Sequence, residues 1–183
     1  MEGSDNGIPT VLKTVARKGL RVRLSPLPPS YNYVMNKEGI RNLAEKVLED
    51  GYVMSLGTVD EGGVWVADVI YIKDDKFNLY WISLPNTRHS KAIEKNNKVA
   101  CTITASRKTH DERALQIEGV VEKIEGSLFE YEKKLEEKRG LKIPERAGEI
   151  LEKGQSWYVL KPTKIEVIHS KSFGYKKETV ELY

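Results

Sequence analysis

Apolar residues recur along this chain with two different periods. Between Asn36 and Gly51, the positions Ile40, Leu43, Ala44, Val47 and Leu48 follow the three-to-four spacing of a helix with one buried face, capped by Asn36 and stopped by Gly51. From Tyr52 the period drops to two. Residues 52–59 (YVMSLGTV), a turn at Asp60-Glu61-Gly62-Gly63, residues 64–73 (VWVADVIYIK), a turn at Asp74-Asp75-Lys76 and residues 77–82 read as three strands of an antiparallel meander. In the third, Phe77, Leu79 and Trp81 alternate with Asn78, Tyr80 and Ile82.

A turn at Leu84-Pro85-Asn86 then leads to a short helix capped by Asn86 or Thr87 and running to about Lys95. Residues 98–105 and 113–125 form two more strands, with Gly119 marking a bulge or bend in the second. The Ser127 to Glu130 segment reads as a capping box that opens a charged helix ending near Arg139, with Gly140 after it. Pro144 starts a second helix that ends near Gly154. Residues 156–170 give one or two strands, interrupted at Lys161-Pro162, before a polar tail. Strands in runs with helices outside them predict an α+β, mainly β fold: a split antiparallel β-barrel, Greek-key-like, with peripheral helices.

Residues 1–35 stand apart, with glycines at 3, 7 and 19 and the Pro26-Leu27-Pro28-Pro29 cluster. They read as an N-terminal extension to a single domain over 36–183. At 183 residues and 39% hydrophobic content, that domain has enough chain to bury a sizeable core. The net charge of +3 lies in the extension, while basic and acidic residues cancel over the rest, which argues against a nucleic-acid surface on the folded domain. No apolar run approaches the roughly 20 residues of a membrane helix, and the start lacks a signal peptide's apolar core, so a cytoplasmic protein without membrane attachment is expected. The single cysteine, Cys101, sits in the alternating run 98–104 as a packed, inert thiol. His89, His110 and His169 show no metal-ligand spacing, and no metal site is expected.

The chemistry concentrates after the third strand. Arg88, His89, Ser90 and Lys91 all fall in the first turn of the short helix, where free N–H groups and the helix dipole already make the end positive. A bound anion resolves this conflict, with the hydroxyls of Thr87 and Ser90 and the charges of Arg88 and Lys91 converging on a phosphate-sized group. A solvated basic turn is the other reading.

The order and spacing of these segments resemble the FMN-binding split barrels of the pyridoxamine 5'-phosphate oxidase-like group. The resemblance covers about residues 36–168. It is carried by VMSLGTVDEGG, by VWVADVIYI, by Thr87-Arg88-His89-Ser90-Lys91 after the third strand, and by Leu115-Gln116-Ile117-Glu118-Gly119 in the fifth. It implies a homodimer with FMN at the subunit interface and a small-molecule substrate or electron donor. Arg88, with Lys91 or His89, would bind the FMN phosphate, Thr87 and Ser90 would add hydroxyls, and Ser83 would lie beside the flavin or the phosphate. The backbone from Val66 through Ala67, Asp68 and Val69 to Ile70 would follow the isoalloxazine edge. Gln116 would reach the cofactor from the fifth strand and Trp157 from the C-terminal strands, although Trp157 reads equally as a core aromatic and Asp68 as a polar bend. Two departures stand out: His89 takes the place of the oxidase's usual lysine, and the tail lacks the oxidase's Arg-x-His substrate motif. The implied function is FMN-dependent hydride or electron transfer to or from an unidentified small substrate, with vitamin B6 oxidation not expected; a carrier or sensor of flavin, deazaflavin or haem on the same fold is the alternative.

Overall fold

The computed structural model describes residues 35–106, 111–174 and 176–182. Residues 1–34 of the extension and His110 lie outside the described residues.

Helix α1 (Lys37–Asp50) begins where Asn36 accepts a 2.8 Å bond from the Gly39 N–H, and its face of Ile40, Ala44, Val47 and Leu48 is buried. At its end Gly51 has φ −77°, so the left-handed turn usual for a terminal glycine is not what selects it. A Cβ there would lie 2.4 Å from Ile103 Cγ2 and 2.8 Å from the Tyr71 hydroxyl.

Strands β1 (Val53–Asp60) and β2 (Gly63–Ile70) form a hairpin whose register closes at Asp60 and Gly63, where Gly63 has φ +98°. The run predicted as one strand over 64–73 breaks at Tyr71. Its last residues form β3 (Ile72–Lys73), which pairs with β4 (Leu79–Ser83), while β4 pairs on its other side with β7 (Ser156–His169). The expected meander therefore stops after its first hairpin, because the break at Tyr71 sends the two halves of one apolar run to different neighbours. Helix α2 (Arg88–Lys95) follows, then β5 (Lys98–Ser106) and β6 (Arg113–Ile124).

The sheet order is β2-β1-β5-β6-β7-β4-β3, all antiparallel, with the short β8 (Lys177–Thr179) also on β7. Its two edge strands, β2 and β3, are consecutive in the chain and meet at Tyr71, so the curled sheet is a half-barrel seamed by a single fully buried residue. The register of β6 on β7 shifts between Glu118 and Gly119 beside Pro162, a bulge of the kind that bends a sheet. Pro162 does not interrupt β7. Before it β7 pairs with β4, and after it with β8.

Inside the curl, Met54, Leu56, Leu79, Ile103, Leu115, Ile117, Leu160 and Val167 pack with α1, and Trp81 stacks on Tyr158 at 5.6 Å. Burying each such side chain contributes about 1.5–3 kcal/mol. Cys101 belongs to this core, and burial pushes its thiol up to about 12, the inert state expected.

A second, smaller core gathers Ile72, Leu135 and Trp157 under α3 (Phe129–Arg139). Here two expectations are corrected. The N-cap of α3 is Leu128, without a side-chain bond, because Ser127 donates instead to the buried Glu132 carboxylate at 2.6 Å and Glu130 turns to Lys133. Residues 144–154 form turns and no helix: the Glu149 carboxylate accepts the N–H groups of Glu145 and Arg146, and Gly148, at φ +79°, donates to Glu132. The tail after β7 is also structured, with α4 (Ser170–Phe173) preceding β8, and Val180 is buried.

Candidate functional site at the start of helix 2

Ser83, buried, ends β4, and the Leu84-Pro85-Asn86 turn brings the chain round so that Thr87 caps α2. The Thr87 side chain accepts from the Ser90 N–H at 3.4 Å. Ser90, fully buried, lies 2.8 Å from the Thr87 hydroxyl and donates to Ser83 at 3.3 Å. His89 Nε2 completes the group, 2.8 Å from Ser83 Oγ and 3.2 Å from Thr87 Oγ1. Three hydroxyls and an imidazole thus satisfy one another around Ser83. Burial holds His89 below the usual imidazole range, so it stays neutral at neutral pH and brings no charge to an anion.

The cations face the other way. Arg88 reaches across to the β1–β2 turn, where Nε donates to Asp60 Oδ2 at 2.7 Å and Nη2 to Oδ1 at 2.9 Å. Its guanidinium carbon lies 4.7 Å from the centre of the Trp65 ring. Asp60 also accepts the Gly62 N–H at 2.8 Å, and the Arg88 hydrogen bond holds its carboxyl below the ordinary range. Seven residues along α2, Lys95 pairs with Glu61 at 2.8 Å. Lys91 is exposed and makes no ion pair with another described residue. Between the turn and the helix runs an open cleft of about 480 Å³, lined by Asp60, Gly62, Asn86, Arg88, Lys91 and Lys95 among others. The repulsion anticipated at this helix start is thus met within the chain by an aspartate 28 residues earlier. Asp60 and Trp65 escaped the sequence reading because a turn aspartate beside glycine already has a local role.

The remaining positions lie on the outer face of the sheet or inside it. Val66 and Gln116 line a second cleft, of about 380 Å³, together with Ser55, Gly57, Thr102 and Glu166. Asp68 accepts a 2.6 Å bond from Ser55 on the same hairpin, and Gln116 accepts from Lys177. Ala67 is half-buried, and Val69 packs against the main core. Trp157 is fully buried in the smaller core, away from both clefts' linings. Val59, Val64 and Val66 leave an apolar strip exposed on one face of β1 and β2, with Val64 at 76% and Val66 at 56% exposure, while Trp65 lies on the opposite face against Arg88. Among the described residues no helix is long and apolar enough to cross a membrane, and no group of three or more His, Cys, Asp or Glu side chains is placed to hold a metal ion.

A curled antiparallel half-barrel with helices outside it, and with an arginine and a lysine on the helix that follows β4, defines a protein of the split-barrel class. The model of the family described as pyridoxamine 5'-phosphate oxidase matches residues 40–169, and the chain belongs to that family. No curated protein matches it.

Solved structures are similar in fold at low identity. General stress protein 26 from Bacillus anthracis aligns at 16% identity and TM-score 0.55, covering 70% of this chain and 93% of that one. A heme binding protein from Mycobacterium smegmatis aligns at 15% identity and TM-score 0.56, covering 78% of this chain and 58% of the larger protein. An F420 reductase aligns at 20% identity and TM-score 0.54, covering 66% of this chain and 94% of that one.

Proposed function

We propose that the protein is an FMN-binding flavoprotein that works as a homodimeric oxidoreductase on a small molecule. The observation that carries this reading is the pair of cations, Arg88 and Lys91, presented on the first turn of α2 beside an open cleft, in a chain whose family membership rests on residues 40–169. The donor set suits a phosphate monoester: a guanidinium with N–H groups that no described residue takes, a lysine without an acidic partner among the described residues and the positive end of a helix. Thr87, Ser90 and Ser83 hold the turn in shape through their mutual bonds. In this reading the β2 backbone from Val66 to Val69 borders the ring system, with Ala67 and Asp68 between, and Gln116 approaches it from β6. Trp157 acts through the core that supports Ser83, since Trp157 and Ile82 are register partners.

Bound FMN would supply hydride or electron transfer at N5. The protein's own part is to anchor the phosphate, orient the ring and exclude water. The exposed strip of Val59, Val64 and Val66 supports a second subunit covering this face. Titrating FMN into cofactor-free protein tests the proposal: quenched flavin fluorescence at micromolar concentration is expected, and its absence overturns it.

The rival reading is a haem or deazaflavin carrier, motivated by the names of the M. smegmatis and F420 reductase structures. Of the two described imidazoles, His89 Nε2 is engaged by Ser83, whereas His169 has Nδ1 2.7 Å from Ser172 Oγ and Nε2 3.7 Å from Asp111, so His169 is the described candidate for a haem ligand. A Soret band on purified protein would favour haem over the proposal.

A further inference from the structure

We infer that Asp60 is a positioning residue for Arg88: it holds the Nε–Nη2 edge of the guanidinium and leaves the adjacent end-on Nη1–Nη2 edge ready for an oxyanion in the cleft beside Lys91. The inference rests on reading the start of α2 as an anion site. It adds a role for the β1–β2 turn that this reading does not contain.

A guanidinium has five N–H groups on three sides. Asp60 takes the Nε hydrogen and one on Nη2, at 2.7 and 2.9 Å. Among the described residues none takes the Nη1 hydrogens or the second on Nη2, and this end-on pair of nitrogens matches two oxygens of a phosphate. One face of the group lies against Trp65. Arg88 is therefore restrained at one edge and one face, which removes most of the freedom a long side chain would otherwise lose on binding.

Asp60 is itself fixed. Its Oδ1 accepts the Gly62 N–H as well as Nη2, so the carboxylate belongs to the turn before it belongs to Arg88. The turn packs closely on the guanidinium, since a Cβ on Gly62 would come within 2.9 Å of Arg88 Nη2. A second tie between the same two elements joins Glu61 to Lys95 two helical turns further on. That pair is largely exposed and adds little by itself. Its place on the same face of α2 keeps the turn over the helix.

The alternative role for Asp60 is competition, in which the carboxylate occupies the site and an incoming anion must displace it. The two roles differ in sign. The full-length protein and its Asp60→Ala, Asp60→Asn, Arg88→Ala and Asp60→Ala/Arg88→Ala variants are titrated with FMN and with riboflavin, which lacks the phosphate. Positioning predicts that each Asp60 variant loses roughly tenfold in FMN affinity, the scale of a charge-assisted hydrogen bond, while riboflavin affinity stays within about twofold. Removing Asp60 in the Arg88→Ala background should change neither. Tighter or unchanged FMN binding, or equal losses for FMN and riboflavin, overturns the role.

A second measurement does not need flavin. The Arg88 Nε–H resonance is followed by NMR during titration with inorganic phosphate. It should move in the wild type, and in Asp60→Ala only at roughly tenfold higher phosphate. If it moves in the wild type while FMN fails to bind, the flavin reading falls and the role of Asp60 stands. If phosphate moves the resonance equally in both proteins, or in neither, the role of Asp60 falls.

Discussion

The Tyr71 hydroxyl donates a 2.8 Å hydrogen bond to the Leu48 carbonyl, with the Gly51 carbonyl 3.1 Å away, so the residue that seams the two edges of the sheet is fastened to the end of α1. Its ring is fully buried and its outer side is covered by Lys138, whose ammonium lies 3.7 Å from the ring centre. Removing the hydroxyl leaves a carbonyl at a helix end without its buried donor. Tyr71→Phe should lower unfolding free energy by about 1–2 kcal/mol, read as a shift in urea midpoint at unchanged slope.

Gly119 is required by contact rather than by backbone angle. A Cβ there would stand 2.5 Å from the Lys161 carbonyl oxygen and 2.8 Å from Leu160 Cδ2, at the register shift between β6 and β7. Gly119→Ala is expected to destabilise the protein by about 1–3 kcal/mol in chemical denaturation, the usual cost of overpacking.

His89 makes stability depend on pH. Burial depresses its folded-state pKa below the ordinary value of 6.5, so its contribution is complete above that pH. As pH falls below 6.5, the unfolded chain takes up the proton first, and the contribution is lost progressively down through the folded pKa. His169 is shifted in the same direction, mainly by burial, and adds to the slope. The urea midpoint should therefore drop between pH 7.5 and 5.5, and less steeply in His89→Gln. Because the imidazole is neutral, His89→Gln should keep FMN affinity within about threefold of wild type at pH 7.5.

Arg88 and Lys91 differ in what they offer a phosphate. Arg88 is pre-set against Asp60 and Trp65, whereas Lys91 is an exposed point charge. Arg88→Ala should weaken FMN binding by about 10- to 100-fold and Lys91→Ala by no more than about tenfold, both by fluorescence titration. Equal retention of flavin by Arg88→Ala and wild type would displace the site from α2.

The apolar strip on β1 and β2 bears on assembly. Val64 and Val66 are exposed at 76% and 56%, beside the cleft that holds Gln116. In sedimentation velocity the wild type should run as a dimer, and Val64→Glu combined with Val66→Glu as a monomer with reduced flavin retention. A wild-type monomer would remove the interface from the proposed function.

Much of the fold was legible along the chain. Helix α1, the β1–β2 hairpin, α2, β5 and the bulge at Gly119 fall where periodicity and turn residues put them, because each depends on neighbours a few residues apart. Failures came where a distant group took a local one away. Ser127 spends its hydroxyl on Glu132 and leaves α3 without the capping box, and Glu149 ties up backbone N–H groups that a helix over 144–154 would need. Pro162, read as a break, lies within a continuous β7 because the bulge at Gly119 absorbs it.

The presence of hydroxyls and cations from Thr87 to Lys91 on one helical turn is a property of the sequence alone, since the cap and the spacing fix where that turn begins. Which way each of them faces was decided only in three dimensions. Ser90 and His89 turn inward because Ser83 lies at the end of β4, and Arg88 turns outward because the β1–β2 hairpin, brought beside α2 by the curl of the sheet, offers it a carboxylate. No local rule could pair Arg88 with Asp60, because nothing along the chain measures the distance between a turn and a helix 28 residues apart.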